Sequence, residues 1–183
     1  MDWPLPVAER YAKGWMAEQL EPLLSGLPKD RAHFCGVDFG RSGDLSVFWP
    51  ATEEKDLRLV PPFVLELRNC PHRTQQQILF AILDRLPRFS GVSLDARGNG
   101  SALAEAARQQ YGPEKVREVM ISEGWYRETM PLLKAGIEDK TLLLPRDAGI
   151  LSDFRSLRVV KGVARVPEQR TKDKTGGRHG DSA

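Results

Sequence analysis

The sequence predicts an α/β fold in which helices cover a mixed β-sheet. Its main part opens on three strand-like runs joined by short turns, namely "HFCGVDF" (33–39), "LSVFWP" (45–50) and "LVPPFVLELR" (59–68). Helix-like and strand-like segments then alternate along the chain. Short turns join antiparallel neighbours, whereas strands separated by helices are typically parallel. The sheet is therefore expected to contain three antiparallel strands followed by parallel ones, with helices on both faces.

Each later element has a local signature. "TQQQILFAILDRL" (74–86) repeats apolar residues at helical spacing, and "SALAEAARQQYG" (101–112) is a helix closed by a glycine. The remaining predictions are strands at 91–96, 116–122 and 141–145, helices at 126–139 and 147–156, and a hairpin at 157–167 that turns at Lys161-Gly162. The order β-β-β-α-β-α-β-α is the ribonuclease H-like arrangement. A Rossmann fold is not predicted, because the chain opens on a hairpin and no G-x-G-x-x-G follows the first strand.

An amphipathic segment precedes the sheet. "AERYAKGWMAEQLEPLL" (8–24) carries apolar residues at helical spacing, and "SGLPKD" then ends the helix. The chain has 183 residues and is 40% hydrophobic, which suits one domain with its own core. We therefore expect residues 1–33 to form a helical lead-in and residues 34–183 to form the domain.

The charge is nearly balanced overall but not along the chain. The formal net charge is +2, which by itself makes no case for a nucleic-acid partner. Between residues 155 and 180, however, eight Lys and Arg face two acids. Composition favours a solvated, mobile tail there, and the alternative is a surface that follows phosphates.

Cysteine usage and hydropathy indicate a reduced, intracellular, soluble protein. Cys35 lies within an apolar run and Cys70 in a loop, so neither a disulfide framework nor a zinc site is predicted. The sequence shows no signal peptide and no apolar stretch long enough to span a membrane.

Two acids leave equivalent strands. Asp38 in "GVDFGRSGD" and Asp95 in "SLDARGNG" each end an apolar run and precede a glycine-rich turn. In a ribonuclease H-like sheet the first and fourth strands are parallel neighbours, so both carboxylates should share one edge. Each acid alone is more commonly a turn former or helix cap. As a pair they would repel each other unless a cation lay between them, and carboxylate oxygens suit Mg²⁺ or Mn²⁺.

The end of the chain supplies a third acid. "GGRHGDSA" contains Asp181, with His179 two residues before it. Five segments of the chain resemble the C-terminal nuclease domain of phage terminase large subunits in the Mu-like branch. The most specific are "GVDFGRSGD", "SLDARGNG" and "RHGDSA", and the other two are "WYRETMPLLKAGIEDKTLLLPRD" and "LSDFRSLRVVKGVARVP". The resemblance covers roughly residues 34–183.

The resemblance implies a two-metal site held by three catalytic acids. These are Asp38, Asp95 and Asp181, binding two Mg²⁺ or Mn²⁺ ions. In the family the third acid opens a C-terminal helix, and because this chain stops at Ala183 we expect that helix to be cut off. Asp44 serves the hairpin turn or reaches the metal through water, and His179 is a candidate for supporting the ligands.

The implied function is a metal-dependent endonuclease that cuts concatemeric viral DNA during genome packaging in the cytoplasm of a bacterial host. Its implied partners are double-stranded DNA, the terminase ATPase domain, the small subunit and the portal, with no membrane. Two ions would clamp the scissile phosphate. Candidate phosphate contacts are Arg41, Arg97, Lys161, Arg165 and Arg178.

Two other classes stay open at this point. "GVDFGRSGD" also resembles the first phosphate loop of actin and sugar-kinase ATPases, but that class needs a duplicated second half for which 183 residues leave no room. The other class is a catalytically silent ribonuclease H-like module that docks DNA or a portal. No Walker A sequence occurs, so we expect an isolated nuclease domain without its motor.

Overall fold

A mixed sheet forms the centre of the molecule. The computed structural model describes residues 9–40, 44–98, 100–166, 171–173 and 176–178. The sheet strands are β1 (His33–Asp38), β2 (Leu45–Glu53), β3 (Leu59–Val60), β4 (Leu65–Arg68), β5 (Phe89–Asp95) and β6 (Val116–Val119). Their order is β3-β2-β1-β5-β6, and β4 pairs with β2 as well. β1 pairs with β2 antiparallel and with β5 parallel, and β5 pairs with β6 parallel, so the predicted mixed sheet is confirmed.

The predicted third strand is divided in two. β3 pairs with the Thr52–Glu53 end of β2, and β4 pairs with the Leu45–Phe48 end. Pro61 and Pro62 lie between them, and proline has no N–H with which to continue a ladder. The single strand expected at 59–68 is therefore wrong in this detail.

The strand predicted at 141–145 does not form. Leu142 makes one isolated parallel bridge with Leu59. Its two hydrogen bonds run from the Leu59 N–H to the Thr141 carbonyl (2.7 Å) and from the Leu143 N–H to the Leu59 carbonyl (2.9 Å). Since β3 is two residues long, it offers no partner along which the pairing could extend.

Helices cover both faces of the sheet. They are α3 (His72–Arg85), α4 (Gly100–Tyr111), α5 (Glu123–Glu138) and α6 (Ala148–Ser156). Ile78 and Ile82 of α3 and Ala104 of α4 are fully buried in one apolar cluster with Phe48 of β2. Trp49 projects to the opposite face because side chains alternate along a strand, and there its ring meets Phe154 of α6 with centroids 6.3 Å apart.

The caps decide where two of these helices begin. Ser122 accepts a hydrogen bond from the Trp125 backbone N–H (3.2 Å), and Asp147 accepts one from the Ile150 N–H (2.9 Å). Helix α5 therefore starts at Glu123, three residues before its predicted start, because the serine cap lies there.

The lead-in segment is helical and packs on the domain. It consists of α1 (Glu9–Trp15), a π-helical stretch (Met16–Leu20) and α2 (Glu21–Ser25). Ala12, Leu20 and Leu24 belong to the main apolar cluster, and Glu21 pairs with Arg85 of α3. The boundary at residue 33 stays a prediction. No helix in the described part of the chain is long and apolar enough to cross a membrane.

The C-terminal hairpin forms as predicted. β7 (Arg158–Val160) and β8 (Val163–Arg165) pair antiparallel. Lys161 and Gly162 both have positive φ, 52° and 78°, as a type I′ turn requires. Two further strands, β9 (Thr171–Asp173) and β10 (Gly176–Arg178), pair antiparallel within the basic segment. The segment expected to be a mobile tail thus contains two paired strands, and its mobility stays a prediction.

Burial makes the two thiols unreactive in the folded chain. Cys35 is 4% exposed and Cys70 is 8% exposed, and desolvation raises the pKa of each to about 12. Since the thiolate is the nucleophile, neither cysteine should react with a thiol reagent at pH 8 in native protein, and both should react in urea. Mass spectrometry of the labelled chain measures this. Rapid labelling of either thiol without denaturant would contradict the buried positions.

Candidate active site

Two acidic side chains lie side by side at one edge of the sheet. Strand β1 ends at Asp38 and strand β5 ends at Asp95. The last paired residues of these parallel strands are Val37 and Leu94, immediately before the two acids. The structure thus brings Asp38 and Asp95 to the same edge; that they bind metal stays a prediction.

The carboxylate of Glu66 lies on the same face of the sheet as the two aspartates but not next to them. Asp38 pairs with Val47, and Val47 pairs with Glu66 of β4. Paired residues project to the same face, so Glu66 lies on the face of the two aspartates. Two strand spacings separate it from Asp38, roughly 10 Å. Among the described residues, no three His, Cys, Asp or Glu side chains are grouped so that they could hold a metal.

Arg97 forms a forked ion pair with Asp95. Its Nε donates to both carboxylate oxygens at 3.1 and 3.2 Å, and its Nη2 donates to Oδ2 at 2.8 Å. The Arg97 backbone N–H also donates to Oδ1 at 3.0 Å. The hydrogen bonds that Arg97 donates to Asp95 raise the pKa of Arg97, and the negative charge of Asp38 acts in the same direction. Arg97 thus forms an ion pair with Asp95, and its predicted contact with phosphate stays a prediction.

Tyr126 completes the surroundings of the acids, and the sequence alone did not single it out. It lies in the first turn of α5 and is half-buried. Burial is the largest cause that raises the pKa of its hydroxyl, and the charges of Asp95 and Asp38 raise it further while Arg97 lowers it. The Val166 backbone, next to strand β8, also acts on this hydroxyl and lowers its pKa. The exit of the β7–β8 hairpin therefore adjoins the acid site.

The turn after Asp38 is held from two sides. The Gly40 N–H donates to Ser46 Oγ (3.1 Å), and Ser46 Oγ and Gln75 Nε2 both donate to the Gly40 carbonyl (3.2 Å each). A Cβ at Gly40 would lie 2.1 Å from the Leu45 carbonyl oxygen, so only glycine fits. Asp44 lies one residue before β2, across this turn; its predicted supporting role stays a prediction.

The turn after Asp95 is equally tight. Gly98 has φ +51°, in the left-handed region that favours glycine. Gly100 begins α4 so close to β5 that a Cβ would lie 2.0 Å from the Asp95 carbonyl oxygen and 3.2 Å from the Phe39 ring. Gly100 thus lets the start of α4 pack directly against β5 and the Phe39 ring.

The other predicted site residues divide into two groups. Lys161 and Arg165 lie on the β7–β8 hairpin, and Arg165 precedes the Val166 contact with Tyr126. Asp181, His179 and Arg41 lie outside the described residues, as does the side chain of Arg178, the last residue of β10.

The residues present fit a divalent cation. Two aspartates at one sheet edge offer hard oxygen ligands of the kind that Mg²⁺ and Mn²⁺ prefer. The guanidinium of Arg97 already contacts both Asp95 oxygens, which indicates that this position favours a positive charge. The pair supplies part of a coordination shell, and further ligands would come from water, substrate or a third acid.

The sheet order and helical layers define a ribonuclease H-like fold. The large terminase nuclease of thermophilic phage G20c, solved with bound magnesium, matches with a TM-score of 0.59 at 20% identity, over 81% of this chain and 70% of that one. The large terminase nuclease domain of Thermus phage P74-26 matches with a TM-score of 0.57 at 19% identity, over 81% and 68%. These likenesses show the fold.

Sequence comparison gives the particular relationship. The chain is 42% identical over its whole length to the Mu-like prophage FluMu protein gp28 of Haemophilus influenzae, and 44% identical over 92% of its length to the probable terminase large subunit gp28 of Escherichia phage Mu. It is therefore a homologue of the Mu-like gp28 proteins. It spans about a third of their length, 36% and 31% respectively. No family model matches the chain.

The close approach at Gly100 gives a stability test. Gly100→Ala should lower the free energy of unfolding by roughly 1–3 kcal/mol, because the new methyl group collides with the Asp95 carbonyl. Gly14→Ala is the matched control: it lies in α1 with nothing within 4 Å of its Cβ, and it should gain about 0.5–1 kcal/mol. Urea denaturation measures both. If the two substitutions changed the free energy of unfolding equally, the Gly100 backbone would not lie this close to the Asp95 carbonyl.

Proposed function

We propose that this chain is the nuclease part of a viral genome-packaging terminase and that it hydrolyses phosphodiester bonds in double-stranded DNA. The observation that carries the proposal is the adjacent placement of Asp38 and Asp95 at the ends of parallel strands. The nuclease fold and the homology with gp28 proteins support it. The substrate would be concatemeric DNA in the host cytoplasm, and the ATPase domain, small subunit and portal would be the partners.

The acid pair would hold the catalytic metal. Bound Mg²⁺ or Mn²⁺, as two ions in the full site, supplies an activated water and stabilises the leaving oxygen. Asp38 and Asp95 contribute fixed negative charge, and their β-strands allow little movement. The tight turns at Gly40 and Gly100 keep both strand ends in position. Asp181 is proposed as the third ligand on the family resemblance.

Basic side chains would position the DNA backbone. Lys161 and Arg165 lie on a hairpin whose exit adjoins Tyr126, close to the acids. Charges there attract phosphates irrespective of base sequence. Arg41, Arg97 and Arg178 are proposed for the same task.

A catalytically silent DNA-docking module is the second candidate. The forked Asp95–Arg97 pair favours it, because the arginine occupies oxygens that a metal would need. Cleavage assays separate the two candidates directly.

Asp38→Asn and Asp95→Asn should each reduce plasmid nicking in Mn²⁺ by at least about a hundredfold, because each removes a charged metal ligand at nearly constant volume. The control is Asp139→Asn, an exposed residue at the end of α5, which should cut like the wild type. Circular dichroism checks that all three fold. Wild-type nicking by Asp38→Asn would remove that residue from the site. Inactivity of the wild-type chain with both metals would favour the docking module.

Neutralising the hairpin should weaken DNA binding without regard to sequence. For the double variant Lys161→Gln/Arg165→Gln, the slope of log K against log salt should become less steep by about 0.9 per lost contact, up to about 1.8. The matched control is Lys55→Gln/Arg58→Gln, which removes the same charge from the turn after β2, at the end of the sheet remote from the acids. Fluorescence anisotropy at several salt concentrations measures both. An equal change in the two variants would exclude the hairpin from the DNA path.

A further inference from the structure

We propose that Arg97 is a displaceable counter-ion that couples metal binding to DNA binding. In this inference, which rests on the proposed function, Arg97 covers Asp95 in the metal-free protein. A divalent cation takes its place on the carboxylate, and a DNA phosphate receives the released guanidinium. Metal and DNA would then each strengthen the binding of the other.

Competition for Asp95 follows from the geometry of the ion pair. Nε and Nη2 of Arg97 together engage both carboxylate oxygens at 2.8–3.2 Å. The Asp95 side chain is 12% exposed, so its oxygens are accessible over a small area. A cation that coordinates Asp95 must therefore displace at least one of these N–H groups. A guanidinium and a divalent ion close to the same carboxylate would also repel each other.

The turn is built so that the side chain can leave without unfolding it. The Arg97 backbone N–H holds Asp95 Oδ1 independently of the guanidinium, and the Arg97 carbonyl accepts from the Gly100 N–H at 3.0 Å. The Arg97 side chain itself is 49% exposed. A Cβ built at neighbouring Gly98 meets nothing within 4 Å, so there is open space beside the turn.

A phosphate is a suitable acceptor for the released side chain. The planar guanidinium binds phosphate in the same forked manner in which it binds carboxylate. Asp38 and Asp95 both act on the charge of Arg97, so a cation that neutralises these acids weakens their hold on it. The exchange replaces an internal ion pair by one metal–carboxylate contact and one arginine–phosphate contact.

The exchange makes metal and DNA binding reciprocal. If DNA holds Arg97 away from Asp95, it tightens metal binding by the same factor by which metal tightens DNA binding. Without Arg97 this coupling is lost, while the metal site itself becomes easier to fill. A role of Arg97 in DNA binding alone would leave metal affinity unchanged in the absence of DNA.

Calorimetric titration of the metal-free chain with Mn²⁺ tests the inference, with and without a short phosphorothioate duplex that keeps its charge and resists cleavage. Arg97→Ala without DNA should bind Mn²⁺ at least fivefold more tightly than the wild type, and DNA should then change its Mn²⁺ affinity less than twofold. In the wild type, DNA should tighten Mn²⁺ binding at least fivefold. Arg97→Lys keeps the positive charge but cannot form the forked ion pair, so its Mn²⁺ affinity without DNA should lie between those of the wild type and Arg97→Ala.

Arg108→Ala is the matched control. Arg108 forms an ion pair with Glu118 on the neighbouring strand and is 51% exposed, so its loss removes a similar charge away from the acids and should change neither titration. The melting temperature with and without Mn²⁺ checks folding and gives a second measure of affinity. If both Arg97 variants fold and bind Mn²⁺ with the wild-type affinity, the inference is overturned while the proposed metal site stands. Undiminished Mn²⁺ binding by Asp95→Asn would overturn the proposed metal site and the inference with it.

Discussion

The parallel pairing of β1 with β5 is the constraint on which the candidate site depends. Because the two strands run in the same direction and in register, Val37 lies opposite Leu94 and the next residue of each strand is an aspartate. An antiparallel pairing would place those acids at opposite ends of the sheet. The pairing is held by apolar burial, since Val37 and Leu94 both belong to the cluster covered by α3. Stability of the core and geometry of the site therefore come from the same contacts.

Close approach of two carboxylates has an electrostatic cost that the structure offsets locally. Like charges at adjacent strand ends repel, and a cation between or beside them relieves the repulsion. Arg97 provides that cation on the Asp95 side, from the turn that Asp95 itself begins. Tyr126 lies beside the pair on the α5 side, where burial raises the pKa of its hydroxyl. The site is thus arranged around positive charge, whether it comes from the chain or from a metal.

Much of the fold could be predicted because its signals are local. The helices predicted at 74–86, 101–112 and 147–156 lie within two residues of the observed bounds of α3, α4 and α6, and Lys161-Gly162 gave the hairpin turn. Predictions were wrong where formation of an element required a distant partner. Residues 141–145 have strand-like composition but meet only the two residues of β3. Glu66 lies on the face of the two acids because it pairs with Val47 of β2, and the composition of the strands does not reveal that register.

The sequence by itself determined that two apolar strands each end in an aspartate and a glycine-rich turn, and the order of elements made those strands parallel neighbours. The strands and their turns depend on forces between residues that are close along the chain, and the parallel pairing of the two strands follows from the order of the elements. The tertiary structure alone decided that Tyr126 of α5 and Val166 at the end of the hairpin meet beside the acids and beside Arg97. Those outcomes depend on electrostatics and packing, which act between groups that are close in space wherever they stand in the sequence.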